Sequence, residues 1–283
     1  MRLKLLICLL AAVPAAVQAQ PRTSMEPSFI RTRLGPVAVY QQAGSSGLLP
    51  VVFLHGVYFD HRLWDGQMAR ISGRTLIAID MPLHGQSREG IMPGWTLNDC
   101  AGMLLDVLDS LGLERVIAAG HSWGSMTIVR AAALQPARFA AAGLCNMPFR
   151  ALDAGAKRAI RLQHMALVFR KFYMRQAAAS LMSPHSLARQ PELMDQLLVP
   201  MSRLSGRDIR HTDRAVRLEA EDAAQLAAGL PMPVLAVAGE EDYAGLPPVA
   251  QAWTVPGGHI SPLEAPDAVA RMLAQLLEAA GSR

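Results

Sequence analysis

Short, uninterrupted apolar runs separated by longer amphipathic stretches set the pattern of the first half of the chain. Val51–Leu54, Leu76–Ile79 and residues 116–119 are each wholly apolar, the signature of strands buried on both faces of a parallel sheet. Ahead of them, residues 29–34 and 37–41 alternate on either side of Gly35-Pro36 and predict an antiparallel hairpin. Residues 43–49 form a polar, glycine-rich turn. Residues 96–113 carry Met103, Leu104, Val107 and Leu111 at helical spacing, so a helix is expected there. Two more strands are expected at 140–144 and 233–238, and a last helix at 265–279 with Val269, Met272, Leu273 and Leu276 on one face.

Residues 147–230 break this alternation. They hold no convincing strand and predict three or four helices, one of them over 156–173. There Ala159, Leu162, Ala166, Phe169 and Tyr173 make an apolar stripe opposite Arg158, Arg161 and Lys171. An all-helical insertion after a sheet strand reads as a lid. The chain therefore divides into a leader (1–19), the first part of an α/β core (20–146), a helical cap (147–230) and the rest of the core (231–283).

The leader is not fold. Arg2 and Lys4 precede an apolar run from Leu5 to Val17, and Val17-Gln18-Ala19 suits cleavage before Gln20. The run is interrupted by Pro14 and is shorter than the ~20 residues of a membrane span. A Sec-type signal peptide, export to the periplasm or outside, and no stable membrane span after cleavage are the expectations. The rest of the 283 residues suffices for one large α/β domain. Cys100 and Cys145 remain, as one disulfide or two buried thiols. No Cys/His cluster has metal-ligand spacing, so neither metal nor cofactor is expected.

Charge adds one feature. The net charge is +4, yet residues 147–217 hold 13 Lys/Arg against 5 Asp/Glu, an excess of +8 that leaves −4 elsewhere. These basic residues have little aromatic interleaving and read as a solvated cationic face, with no nucleic-acid groove.

The chemistry begins at Gly120-His121-Ser122-Trp123-Gly124, where a strand pattern runs into G-x-S-x-G and a helical pattern follows. A strand-to-helix turn this tight leaves no room for side chains beside the serine, and it raises the hydroxyl over a helix N-terminus. A nucleophilic serine also needs a base, an orienting acid and an oxyanion site. Downstream, the run Val234 to Gly239 ends in Glu240-Glu241-Asp242, three acids leaving one strand end. Val255-Pro256-Gly257-Gly258-His259 then sets a histidine in a glycine loop before the last helix.

Four motifs in this order resemble the α/β-hydrolase superfamily, in the branch of haloperoxidase-like esterases and proline iminopeptidases. They are Leu54-His55-Gly56, Asp80-Met81-Pro82-Leu83-His84-Gly85-Gln86-Ser87, the serine turn, and Gly258-His259 with Leu263-Glu264-Ala265-Pro266. The resemblance implies an α/β fold with a mostly parallel eight-stranded sheet, helices on both faces and a helical cap after strand six. It implies Ser122 as nucleophile, His259 as general base and acid, and Asp242 as orienting carboxylate by the G-x-x-D pattern. The backbone N–H groups of Val57 and Trp123 would form the oxyanion hole. Asn146 occupies an alternative acid position without a charge. His55 would brace the oxyanion loop, Asp80 and His84 the turn after the fourth strand, and His121 would pack inside. His164, His185 and His211 fall in the cap as surface or packing residues.

One departure stands out. Asp242 and His259 are 17 residues apart, too few for the full helix and eighth strand that the family commonly places there. The resemblance implies hydrolysis of small-molecule carboxylic esters, with an anionic substrate as one reading of the basic cap. Serine in place of aspartate at the turn opposes dehalogenase and epoxide hydrolase chemistry. C–C hydrolysis of a β-diketone, iminopeptidase action and a catalytically silent binding module are the alternatives. A basic cap suits an aminopeptidase poorly, since that enzyme must bind a substrate ammonium.

Overall fold

The computed structural model of the protein describes residues 25–45 and 47–281; the expected signal peptide lies outside them. One sheet of eight strands runs through the middle: β1 (Ser28–Thr32), β2 (Gly35–Gln42), β3 (Val51–Leu54), β4 (Leu76–Ile79), β5 (Val116–His121), β6 (Phe139–Cys145), β7 (Val234–Gly239) and β8 (Gln251–Val255). Their spatial order is β1-β2-β4-β3-β5-β6-β7-β8. The β1–β2 hairpin and the β2–β4 pair are antiparallel, and every other pair is parallel.

Successive residues of the central strands face opposite layers. Val52, Leu54, Ile77, Ile79, Ala118 and Leu144 belong to the core on one face, with α2 (Leu97–Ser110) and α3 (Trp123–Leu134). Val51, Phe53, Leu76, Ala78, Ile117 and Ala119 belong to the other, with α1 (Asp65–Met68) and the last helix, Pro266–Gly281. Burial on both sides is why these strands read as plain apolar runs.

Helix α2 starts where a capping box fixes it. The Thr96 hydroxyl accepts from the Asp99 N–H, and the Asp99 carboxylate accepts from the Thr96 N–H. Cys100 and Cys145 are buried free thiols, which resolves the disulfide alternative in favour of packing.

Between β6 and β7 the chain is helical throughout: α4 (Ala154–Gln163), α5 (Arg170–Leu181), α6 (Pro184–Arg189), α7 (Leu193–Met201), α8 (Gly206–Asp213) and α9 (Ala224–Ala228). Six helices stand where three or four were expected. The helix expected over 156–173 is not continuous. It gives way to a 3-10 segment, His164–Phe169, and α5 starts afresh after Phe169, whose φ of −100° and ψ of 60° are not helical. The expected apolar stripe is therefore not an inward face. Of its members Tyr173 is buried but Leu162 and Phe169 are exposed, and the rest of the burial falls to Ile160, Leu167, Met174 and Ala178. The cause is the change of pitch: three residues per turn over 164–169 rotates the 3.6-residue stripe out of register.

Strand β8 spans five residues, and no helix forms between Asp242 and its start. The chain passes from β7 to β8 in turns alone. Two further helices close the molecule, α10 (Ser261–Glu264) and α11 (Pro266–Gly281).

Candidate active site

The carboxyl ends of the parallel strands carry the chemistry, and their loops carry the backbone strain. The positive-φ residues other than glycine among the described residues are Tyr58, Leu83, Ser122 and Asn146, which follow β3, β4, β5 and β6 in turn. Such conformations cost free energy and persist only where the surroundings enforce them.

At Ser122 the enforcement is visible. Its φ of 49° and ψ of −112° connect β5 to α3 without a spare residue. A Cβ on Gly120 would lie 2.4 Å from the Ser125 nitrogen, and one on Gly124 would lie 2.2 Å from the Leu54 carbonyl oxygen. Glycine is required at both places. The Ser122 N–H donates to the Cys145 carbonyl at 2.8 Å, and the Ser125 hydroxyl donates to the Gly120 carbonyl at 2.7 Å. The turn is thus tied to β6 and to its own start.

Ser122, His259 and Asp242 come together. The His259 Nε2 lies 2.8 Å from the Ser122 Oγ, and its Nδ1 lies 2.7 Å from the Asp242 Oδ1. An aspartate against Nδ1 fixes that nitrogen as the protonated one and leaves Nε2 to accept from the serine. Burial raises the Asp242 pKa, but the hydrogen bond and charge of His259 outweigh it and hold the carboxyl below its ordinary value. Glu240 and Glu241 are exposed, and their N–H groups donate to the carbonyls of Val255 and Gly257. Of the three acids, Asp242 is the one beside the histidine.

Asn146 does not substitute for the acid; it anchors it. Its Nδ2 donates to the Asp242 Oδ2 at 2.8 Å and to the Gly258 carbonyl at 3.1 Å, while its Oδ1 accepts from the Ser261 N–H. Glu264 grips the same loop. One carboxylate oxygen accepts from the N–H groups of Ser183 and Gly258, and the other accepts from Ile260. The His259 N–H donates to the Leu181 carbonyl at 2.7 Å, so the histidine loop is fastened to the end of α5 and, through Glu264, to Ser183 just after it. Tyr243 stacks on the His259 ring, with centroids 4.6 Å apart, and its hydroxyl lies 3.3 Å from Nε2.

Sequence reasoning missed the roles of Glu264, Asn146 and Tyr243. Glu264 stands inside a quoted motif, and its place five residues after His259 was the available signal. Tyr243 had none.

Trp123 opens α3, so its N–H has no acceptor within the helix. A Cβ on Gly56 would lie 3.1 Å from the Ser122 Cβ, which puts the His55-Gly56-Val57 turn against the serine. His55 donates from Nδ1 to the Gly56 carbonyl and accepts the Met81 N–H at Nε2. His84 does likewise, with the Pro82 carbonyl and the Tyr58 N–H. His121 donates from Nε2 to the His259 carbonyl. Burial lowers all three pKa values, to about 4 at His84 and about 3 at His121, so the rings are neutral braces.

Asp80 accepts from the N–H groups of His61 and Gln86 and from the Tyr40 hydroxyl. Its burial raises its pKa, yet the His61 hydrogen bond and nearby imidazoles hold it lower than usual. In the helical segment His164 pairs with buried Asp213 at 2.8 Å, His211 stacks on Trp95, and His185 is exposed. Among the described residues no group of three or more His, Cys, Asp and Glu could hold a metal ion. No helix among them is long and apolar enough to cross a membrane.

Residues 51–272 match a family model described as the alpha/beta hydrolase family. A protein of Mycobacterium phage D29 named for non-heme haloperoxidase is 39% identical over 100 residues, which cover 34% of this chain and 35% of that protein. The chain thus spans about a third of that curated relative's length. Among solved structures, a thermophilic esterase from Thermogutta terrifontis, described as malate-bound, superposes with a TM-score of 0.78 at 22% identity, covering 90% of this chain and 99% of the esterase. The enol-lactonase from Burkholderia xenovorans LB400 gives 0.75 at 20% identity, covering 89% and 100%. At such identities the likeness is one of fold.

Two measurements check this framework. Glu264→Gln removes the charge from an acceptor of three N–H groups, so unfolding should become easier by about 2 kcal/mol. Amide exchange at Gly258 and Ile260 should quicken; unchanged exchange would remove Glu264 from its bracing role. The buried neutral imidazoles set a pH limit. His84 and His121 titrate lower folded than unfolded, so the unfolded chain binds protons first as pH falls below ~6.5. Each ring should cost about 2 kcal/mol of stability at pH ~5 relative to neutrality. A thermal midpoint flat across that interval would contradict this.

Proposed function

We propose that this chain, which belongs to the alpha/beta hydrolase family, is an exported serine hydrolase that cleaves carboxylic esters of small molecules through an acyl-enzyme. The observation that carries the reading is the continuous hydrogen-bonded line from the Ser122 Oγ through His259 to Asp242, built on a strained serine. The solved esterases that share its fold support it.

In this reading the Ser122 Oγ attacks the ester carbonyl while the His259 Nε2 takes its proton. The carbonyl oxygen becomes an oxyanion on the N–H groups of Val57 and Trp123, each worth about 3 kcal/mol in the transition state. Collapse expels the alcohol, which leaves with the proton from His259. Water then attacks the acyl-serine as the imidazole takes one of its protons, and the acid departs as the proton returns to Ser122. Asp242 holds the ring in its working tautomer and stabilises the imidazolium. The helical segment 147–230 acts as a cap over the site, and the leader 1–19 directs export.

An anionic substrate suits the excess of basic residues over 147–217; Arg217, in the π-helical segment Arg214–Leu218, is itself paired with Asp213 and adds no free charge. Asp213, the nearby buried acid, is already paired with His164 and Arg217, so it is not free to receive a substrate ammonium. That speaks against iminopeptidase action.

Ser122→Ala should abolish both ester hydrolysis and labelling by a fluorophosphonate while leaving the circular dichroism spectrum unchanged. Asp242→Asn should lower kcat by roughly 10³–10⁴, with Glu241→Gln nearly silent; a severe Glu241→Gln would move the acid. If the basic cap steers substrate, kcat/KM for an acidic ester should fall with added salt while a neutral ester of equal acyl length holds steady. Equal responses would reduce the cap's charge to a solvated surface.

A further inference from the structure

The break in the helix expected over 156–173 turns large apolar side chains into solvent. Leu162, Met165, Val168, Phe169 and Phe172 are 56%, 71%, 84%, 73% and 60% exposed. These five fall within eleven residues, at the junction of α4, the 3-10 segment and α5. Leu162, near the end of α4, and Met165 and Val168, in the 3-10 segment, recur every third residue, and the 3-10 pitch stacks Met165 and Val168 in one column. Scattered exposed apolar residues need no explanation, but a contiguous group of this size marks a contact surface.

The surrounding charge identifies the contact. From residue 154 to residue 191 the chain holds Lys157, Arg158, Arg161, Arg170, Lys171, Arg175 and Arg189 and no Asp or Glu. Arg158 and Arg161 precede the apolar group along the chain, Lys171 and Arg175 fall at its far end, and all four are exposed. Arg170 is otherwise engaged, with the carbonyls of Ser202 and Leu204. An apolar ridge edged by cations and free of acids is complementary to a bilayer with anionic headgroups: the ridge enters the acyl boundary while the cations stay among the phosphates. A second copy of the same face would set cation against cation across the contact, which opposes self-association.

We infer that the Leu162–Phe172 ridge, edged by Arg158, Arg161, Lys171 and Arg175, docks this protein on anionic phospholipid membranes. Docking needs neither Ser122 nor His259, so it stands or falls apart from the hydrolytic reading.

The test is co-sedimentation of the protein with vesicles of zwitterionic lipid alone or with roughly 30% phosphatidylglycerol. The parent protein should partition onto the anionic vesicles and come off as salt rises beyond ~0.1 M. Phe169→Ser with Phe172→Ser should weaken partition by about tenfold or more. Lys171→Glu with Arg175→Glu should erase the preference for anionic over zwitterionic vesicles. Both variants should keep the parent's thermal midpoint and its rate on a soluble neutral ester, because these side chains face solvent and a neutral ester does not respond to the cap's charge. Partition is measured below saturation of the lipid and on the protein with residues 1–19 removed, as the proposed export removes them, so that the leader contributes nothing to the comparison. Undiminished partition in both variants, or equal partition of the parent onto the two vesicle types, overturns the proposal. So does a ridge whose substitution changes only the sedimentation coefficient of the free protein, since that would make it a contact between copies.

Discussion

Everything at the site depends on a turn with no slack. Strand β5 is the hub of the sheet, hydrogen-bonded to β3 on one side and to β6 on the other, so its end cannot shift. Helix α3 presses so close to β3 that a methyl group at Gly124 would run into the Leu54 carbonyl. Between those fixed bodies one residue must turn the chain, and Ser122 does so in a conformation it would not choose. The rigidity of the sheet meets that cost, and the return is a hydroxyl aimed at one place.

The partners of that hydroxyl are held by a polar framework, most of it neutral. His55, His84 and His121 each spend both or one of their nitrogens on the backbone, and burial keeps them uncharged. Three carboxylates act beside them. Asp80 gathers the loops after β3 and β4, Glu264 gathers the histidine loop, and Asp242 faces the imidazole. Placing neutral braces around a few ions limits the desolvation that several buried charges would impose.

The histidine loop and the helical segment share their fastenings. Leu181 accepts from His259, and Ser183 donates to the carboxylate that also holds Gly258. A movement of α5 would therefore be felt at the imidazole through two hydrogen bonds. The exposed ridge runs into the first turn of the same helix at Phe172, so α5 begins at an apolar surface and ends at the histidine loop.

The sequence by itself determined most of the sheet and singled out Ser122, His259 and Asp242, which the fold brings together. Buried strands announce themselves as apolar runs, Val51–Leu54 and Leu76–Ile79 to the residue, and a turn that excludes side chains announces itself by Gly120 and Gly124. Periodicity failed where pitch changed: a 3.6-residue stripe over 156–173 has no meaning once residues 164–169 wind at three per turn, and nothing local signals that switch. Of three acids at one strand end, the G-x-x-D pattern pointed to Asp242 by resemblance alone. The tertiary structure supplies the physical reason, because which carboxylate meets His259 depends on how β7 and β8 are joined without a helix. The same holds for Asn146, Glu264 and Tyr243, whose partners lie on other strands and loops. A hydrogen bond between residues far apart in sequence leaves no period and no spacing, so it exists only once the chain has folded.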